Sequence, residues 1–396
     1  FMMFSRHLNA NGFKQMEVEP CLFVFFTESG TCLLLIHTDN VITATNNKKW
    51  LDDLISQKWS KEFKAEYVNQ NSILGLMVVR EDPYTFSFSQ PNYIEELINE
   101  FHTPVSKPQK VPIRDGIEHD YDPSVMSTIV DSNIPHRRLV MKLKWVERGS
   151  RPEIAYAVGF FSRFQNCYTQ ALYDEMLKVV AYLNNTKGVR QIFNYDPSKP
   201  SHIKFVCDAS LSNNADNKST IGILGYVQNC VIFVSSKTVK NVLTSSCETE
   251  SHAIFEASKI AVYTRNWCRQ LTKIPDPCFI FNDNEAAIRI MSTYTNQGRS
   301  KHFSIKLRYV VGLVTDGLIR IVFVKSEDNV ADILTHSLGP YKFSRMFALI
   351  YGPRMSSLTS GIAASFHSGG DSDWRVHATR ITQEELRSLL LEIEKD

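Results

Sequence analysis

The chain has 396 residues, 43% hydrophobic and 22% charged, with a net charge of only +2. That is long enough for two or three domains with real cores, and the composition is that of a folded soluble protein. So small a net charge excludes a global field as the source of any nucleic-acid affinity, which must come from local basic patches.

The eight cysteines (21, 32, 167, 207, 230, 247, 268, 278) show no C-x-x-C spacing and sit mostly in apolar runs. They read as reduced core residues of an intracellular protein, cytoplasmic or nuclear and not secreted. No apolar stretch approaches the ~20 residues a membrane helix needs, and no signal peptide is expected. The start, "FMMFSRHLNANGF", reads as mid-domain, as expected of a fragment of a longer reading frame.

In chain order, "CLFVFFTESGTCLLLIH" predicts two strands around Glu28-Ser29-Gly30, and "LLLIHTDNVI" predicts a tight hairpin lifting Asp39 and Asn40 out of a buried sheet. Burial of Leu33 to Ile36 and of Val41 is expected to hold that hairpin. "ILGLMVVREDPYTFSFSQ" repeats the pattern around Asp82-Pro83, and a helix follows from Pro91. Residues 104–135, rich in proline and charge, read as a linker or extended arm. Residues 136–188 read as helical, closed by Gly188.

From residue 201 an α/β order takes over. Strands "IKFVCDAS", "TIGILGYVQ" and "CVIFVSS" precede a helix from about Ser246 to Arg265, with Ala253, Ile254, Ala257, Ile260 and Ala261 on one stripe. Strand "PCFIFND", helices "NEAAIRIM" and "FSIKLRYVVGLVTDG", strand "IRIVFVK" and a last helix from about Asn329 complete it. Residues 354–373 read as disordered, and a capping box of Thr382 and Glu385 predicts a short helix at 382–395.

Four carboxylates fall at the ends of these elements: Asp208, Glu250, Asp283 and Asp332. In an open α/β sheet, ligands gather at strand ends and nearby helix termini. Clustered acids repel one another unless cations neutralise them. Hard oxygen ligands suit Mg²⁺ or Mn²⁺, and two such ions about 3.5–4 Å apart activate water and stabilise the leaving oxygen of a phosphodiester. Glu248 rivals Glu250, but helical spacing to Ala253, Ile254 and Ala257 puts Glu250 at the border of the sheet-facing stripe.

Residues 201–340 resemble a ribonuclease H domain of the Ty1/copia class of retrotransposons. The resemblance rests on "DASLSNN", "SSCETESHAIFEASK", "NDNEAAIRI", "RSKHFSIKLRYV" and "SEDNVADILTHSLG". Residues 1–200 resemble the second half of the reverse transcriptase that precedes it, through "GFKQMEVEPCLF", "SILGLMVVRED", "FSFSQPNYIEELINEF" and "RRLVMKLKWVERGSRPEIAYAVGFFSRF". The resemblance implies a partial palm/thumb-like region at 1–103, a linker and helical connection at 104–200, and a ribonuclease H-like domain at 201–340. The remainder, 341–396, is a mostly disordered tail with its short helix. The implied fold is α/β, an α+β palm and connection remnant followed by a mixed five-stranded sheet with flanking helices. In that family the acids matching Asp208, Glu250, Asp283 and Asp332 bind two Mg²⁺ or Mn²⁺ ions and cut the RNA strand of an RNA–DNA hybrid.

The polymerase half departs from the family. Its hairpin carries tyrosine, an apolar residue and two aspartates; here His37, Thr38 and Asn40 replace three of the four. A neutral Asn40 cannot supply an anionic metal ligand beside Asp39. The partner aspartate of a polymerase site falls in an upstream strand outside this sequence, so no polymerase activity is expected. Arg137, Arg138, Lys142, Lys144, Arg148 and Arg151 form a basic cluster suited either to phosphates or to a solvated helix face. Lys218, Arg299, Lys301 and His302 are weaker phosphate candidates. His336, four residues after Asp332, is expected one turn along the same helix and reads as a neutral replacement for the family's lysine.

The expected partner is therefore an RNA–DNA hybrid or other nucleic acid, together with the missing N-terminal part of Pol, and neither a membrane nor a small-molecule substrate. The rival expectation is a decayed or co-opted remnant, catalytically inactive, that at most binds nucleic acid.

Overall fold

A computed structural model describes residues 2–351 except 28–29, 39, 64–71, 83, 103–107, 127–132, 197, 199–201, 229, 272–275 and 294–300. The chain divides into two compact units, one of residues 1–70 with 266–272, the other of residues 71–265 with 273–396.

The first unit begins with α1 (Met2–Ala10), then β1 (Lys14–Gln15), β2 (Leu22–Thr27), β3 (Gly30–His37) and β4 (Asn40–Thr45), paired antiparallel in that order. Helix α2 (Lys48–Leu54) follows, capped by the Asn47 side chain on the Trp50 amide, and a π-helical turn, Ile55–Trp59, leads into α3 (Ser60–Phe63). Strand β3 alternates as a half-buried strand should, with Cys32, Leu34 and Ile36 packed on Leu8, Phe13, Phe23, Leu51 and Trp59. The polymerase-like hairpin is β3–β4. His37 pairs with Asn40, and Thr38 has a left-handed φ of 53°, strained for a β-branched residue. Asp39 lies outside the described residues. Val41, expected to be buried, is 39% exposed because β4 is the edge strand, so β2 and β3 alone carry the core of the hairpin.

The second unit opens with β5 (Ser72–Ile73), β6 (Leu76–Asp82) and β7 (Thr85–Ser89), then α4 (Pro91–Glu100). Helices α5 (His136–Gly149), α6 (Ala155–Ser162) and α7 (Gln170–Asn185) span the stretch expected as a helical connection, and β8 (Gln191–Asn194) joins β5–β7 in a four-stranded sheet. The stretch read as a linker is packed where it is described. Ile113 and Ile117 are buried, and the Glu118 carboxylate accepts from the Ser337 hydroxyl at 2.6 Å.

Strands β9 (Ile203–Ser210), β10 (Thr220–Val227) and β11 (Cys230–Thr238) form an antiparallel meander. The long helix α8 (Ser246–Arg269) buries its Ala253–Ile254–Ala257–Ala261 stripe, and its last residues belong to the first unit. Strand β12 (Cys278–Asn282) then lies parallel to β9, followed by α9 (Glu285–Ser292), α10 (Lys301–Thr315) and β13 (Ile319–Phe323), parallel to β12. The order β11-β10-β9-β12-β13 is the expected mixed five-stranded sheet, with β9 at its centre.

The segment expected as one helix from Asn329 is instead two 3₁₀ turns, Ser326–Asp328 and Val330–Leu334, and then a separate helix, α11 (Pro340–Tyr351). Gly339-Pro340 starts the new helix, since proline is suited to the first helical position. The turn passes so close over β10 that a Cβ on Gly222 would meet Leu334 Cβ at 2.6 Å and the Ala331 carbonyl at 2.9 Å.

A buried charged network ties α11 to the connection. Arg151, fully buried, pairs with Glu153 at 2.7 Å and donates to the Thr186 carbonyl and hydroxyl. Tyr182 and Tyr351 both direct hydroxyls at Glu153, and Tyr351 also reaches the Ser150 carbonyl at 3.2 Å. Arg151, grouped above with the basic cluster, is thus a core residue out of reach of any phosphate. Removing one partner of a buried ion pair strands the other charge. Arg151→Met should therefore lower unfolding stability by about 3–5 kcal/mol and Tyr351→Phe by about 1 kcal/mol, as read by urea denaturation.

Candidate metal centre

Strand register brings the first two acids together. Phe281 pairs with Val206 in the parallel β9–β12 ladder, so two residues further on Asp283 comes level with Asp208. Glu250, in the second turn of α8, adds the third carboxylate from the stripe packed on the sheet. The 3₁₀ turn, let in by Gly222, adds Asp332. Ligand atoms of Asp208, Glu250 and Asp283 lie within 4.8 Å of one another, and so do those of Asp208, Asp332 and His336. The four acids expected from sequence therefore converge, with Asp208 common to both groups. Glu248 is elsewhere: its carboxylate caps the start of α8 by accepting from the Thr244 amide (3.0 Å) and hydroxyl (2.9 Å). His336 joins the site, but through a 3₁₀ turn and not along an α-helix.

Neutral donors aim these carboxylates. Asn329 donates to Asp208 Oδ1 at 3.0 Å and Thr335 to Oδ2 at 2.5 Å. The fully buried Asn282 donates to Glu250 Oε2 at 2.8 Å and to the Cys207 carbonyl at 3.1 Å. Ser326 donates to Asp283 Oδ2 at 2.6 Å. Thr335 Oγ1 also lies 3.1 Å from His336 Nδ1 and 3.2 Å from the Asp332 carbonyl. Lys342, from α11, forms an ion pair with Asp332 Oδ2.

Burial, and after it the charge of Asp332, pushes the Asp208 carboxyl up to about 8. Burial and then Asp208 push Glu250 up to about 9. Burial, against the pull of Asp332, holds His336 below the usual imidazole range, so it is neutral at pH 7. Oxygen-rich, crowded and short of cations, this donor set fits Mg²⁺ or Mn²⁺.

Asn282, Asn329, Thr335 and Lys342 were not singled out from sequence. The signal for three of them was there: polar residues inside the otherwise apolar "FIFN" and "NVADILT", where a buried carboxylate needs donors.

The basic cluster on α5 is largely self-compensated. Arg138 and Lys142 pair with Glu100 at 2.6 and 2.7 Å, Lys144 with Glu147 at 2.6 Å, and Arg137 donates to the Gln165 carbonyl at 2.8 Å and to the Asn166 side chain. Lys218 pairs with Asp216 at 3.2 Å. Arg299 and the side chains of Lys301 and His302 lie outside the described residues.

No protein-family model matches the chain. Among curated proteins it is similar to the retrovirus-related Pol polyprotein from transposon TNT 1-94 of Nicotiana tabacum, 25% identical over 352 residues, 87% of this chain and 26% of that protein. It is also similar to the Pol polyprotein from transposon RE1 of Arabidopsis thaliana, 25% identical over 86% of this chain and 23% of that one. The transposon Ty1-DR6 Gag-Pol polyprotein of Saccharomyces cerevisiae is 23% identical over 82% of this chain and 19% of that one. The homologues are thus Ty1/copia-type Pol polyproteins, and the chain spans about a quarter or less of their length. Among solved structures, LC11-RNase H1 in complex with RNA/DNA hybrid is 16% identical with a TM-score of 0.27, covering 34% of this chain and 93% of that one. RNase H1 from Halobacterium salinarum is 15% identical with a TM-score of 0.25, covering 34% and 94%. Scores this low add nothing to the strand order.

Carboxyls whose folded-state affinity for protons is raised stabilise the fold where they are protonated, and that stability is lost as pH rises through the folded pKa. The metal-free protein should therefore melt at a lower temperature at pH 9 than at pH 5. The loss should run from the ordinary carboxyl values of 3.8 and 4.5 up to about 8 and 9 and level off above them, and Asp208→Asn should flatten it. Thermal scans in EDTA across that range measure the slope.

Proposed function

We propose that this chain is a retrotransposon-derived Pol fragment whose ribonuclease H-like part, residues 201–340, hydrolyses the RNA strand of an RNA–DNA hybrid with divalent cations. The observation that carries this reading is the pair of ligand groups sharing Asp208. When bound, two divalent ions supply an activated water and stabilise the departing oxygen. Asp208, Glu250 and Asp283 would hold one ion, and Asp208 with Asp332 and His336 the other. Asn282, Asn329, Thr335 and Ser326 keep those oxygens oriented. The polymerase hairpin contributes no comparable pair, because Asn40 is a carboxamide.

Cleavage of a labelled RNA–DNA hybrid tests the assignment. Wild type should cut in Mg²⁺ and not in EDTA. Asp208→Asn and Asp283→Asn should each lose at least ~100-fold, since ion-derived stabilisation of the transition state is worth several kcal/mol. No Mg²⁺-dependent cutting by a folded wild type sinks the enzyme reading in favour of a remnant that only binds. Primer extension on a homopolymer template by the same protein should give no template-dependent incorporation.

A further inference from the structure

Resting on the metal-binding reading above, we propose that Lys342 is the resident counter-ion of the acidic pocket. It occupies Asp332 until a divalent cation loads, and thereby sets the affinity for that cation. Apart from the contact of Asp208 with Asp332 itself, the other three acids are held by neutral donors: asparagine amides on Asp208 and Glu250, the Ala209 amide on Glu250, and hydroxyls on Asp208 and Asp283. Asp332 Oδ2 is different. Apart from Lys342 it has no hydrogen-bond partner among the described residues, although its side chain is only 8% exposed. A buried anionic oxygen left so is costly, and the ammonium is what relieves it.

Lys342 and a divalent ion compete for the same carboxylate. Two cations within bonding distance of one carboxylate repel strongly, so loading displaces the ammonium. The lysine is built to leave. Its side chain is 44% exposed, reaching inward from solvent on a flexible stem. The helix beneath it is not free to follow: Phe343, Met346, Phe347 and Ile350 are buried, Arg345 pairs with Asp328 at 2.7 Å, and Tyr351 is tied to Glu153 and Ser150. Exchange of lysine for metal is therefore a side-chain rotation on a fixed backbone. In the metal-free protein the same lysine offsets part of the mutual repulsion of the four acids.

Calorimetric titration of the full chain with Mn²⁺ alone, paired with thermal scans, tests this. Lys342→Gln should bind Mn²⁺ roughly 3- to 10-fold more tightly than wild type, because the competing charge is gone. Its melting temperature in EDTA should fall, while that at saturating Mn²⁺ stays at the wild-type value. Lys342→Arg should not tighten binding. Equal or weaker Mn²⁺ affinity in Lys342→Gln overturns the counter-ion role and leaves the metal site standing, provided wild-type binding is abolished by Asp208→Asn. Wild type that binds no Mn²⁺ overturns both.

Discussion

The mutual repulsion of carboxylates gathered on Asp208 governs the rest of this structure. Glu250, Asp283 and Asp332 come from a helix, a strand end and a 3₁₀ turn, and each is brought within a few ångströms of a charge it repels. Burial, and after it that repulsion, makes Asp208 and Glu250 hold their protons far above the ordinary carboxyl range. A fold keeps such an arrangement only by giving those carboxylates donors and by leaving room for cations. Asn282, Asn329 and Thr335, all fully buried, are donors to Asp208 and Glu250, and Ser326 to Asp283. Gly222 gives the room through which the Asp332 turn reaches the sheet.

The connection helices belong to the same solution. The turn carrying Asp332 rests on β10 below and on α11 beside it, and α11 is anchored by Tyr351 to the buried Arg151–Glu153 pair. Ser337, just beyond the site, is held by Glu118 and by the Gly116 amide from the stretch that sequence read as a linker. Structural ion pairing thus accounts for charges that composition alone offers as ligand contacts, Arg151 above all.

What the sequence made legible follows from periodicity. Alternation in "IKFVCDAS" and the parallel strand "PCFIFND" fixed which residues face the sheet edge, and with them Asp208 and Asp283. The three-four spacing of Ala253, Ile254 and Ala257 selected Glu250 over Glu248. What stayed hidden depends on tertiary contact. "NVADILTHSLG" has the apolar spacing of a helix, but the close pass over Gly222 winds it as 3₁₀, so His336 reaches the site by a different path than the expected one. Lys342 lies beyond the proline-started break and has no periodic signature. Val41 looked buried because strand patterning cannot tell an edge strand from a central one.

The central claim is that these residues hold two divalent ions around one shared aspartate. Anomalous diffraction from crystals of the full chain soaked in Mn²⁺ tests it most directly. The account predicts two peaks, one among Asp208, Glu250 and Asp283 and one among Asp208, Asp332 and His336, with the Lys342 ammonium moved off Asp332. No peak on Asp208 at saturating Mn²⁺, with Lys342 still paired to Asp332, would contradict it.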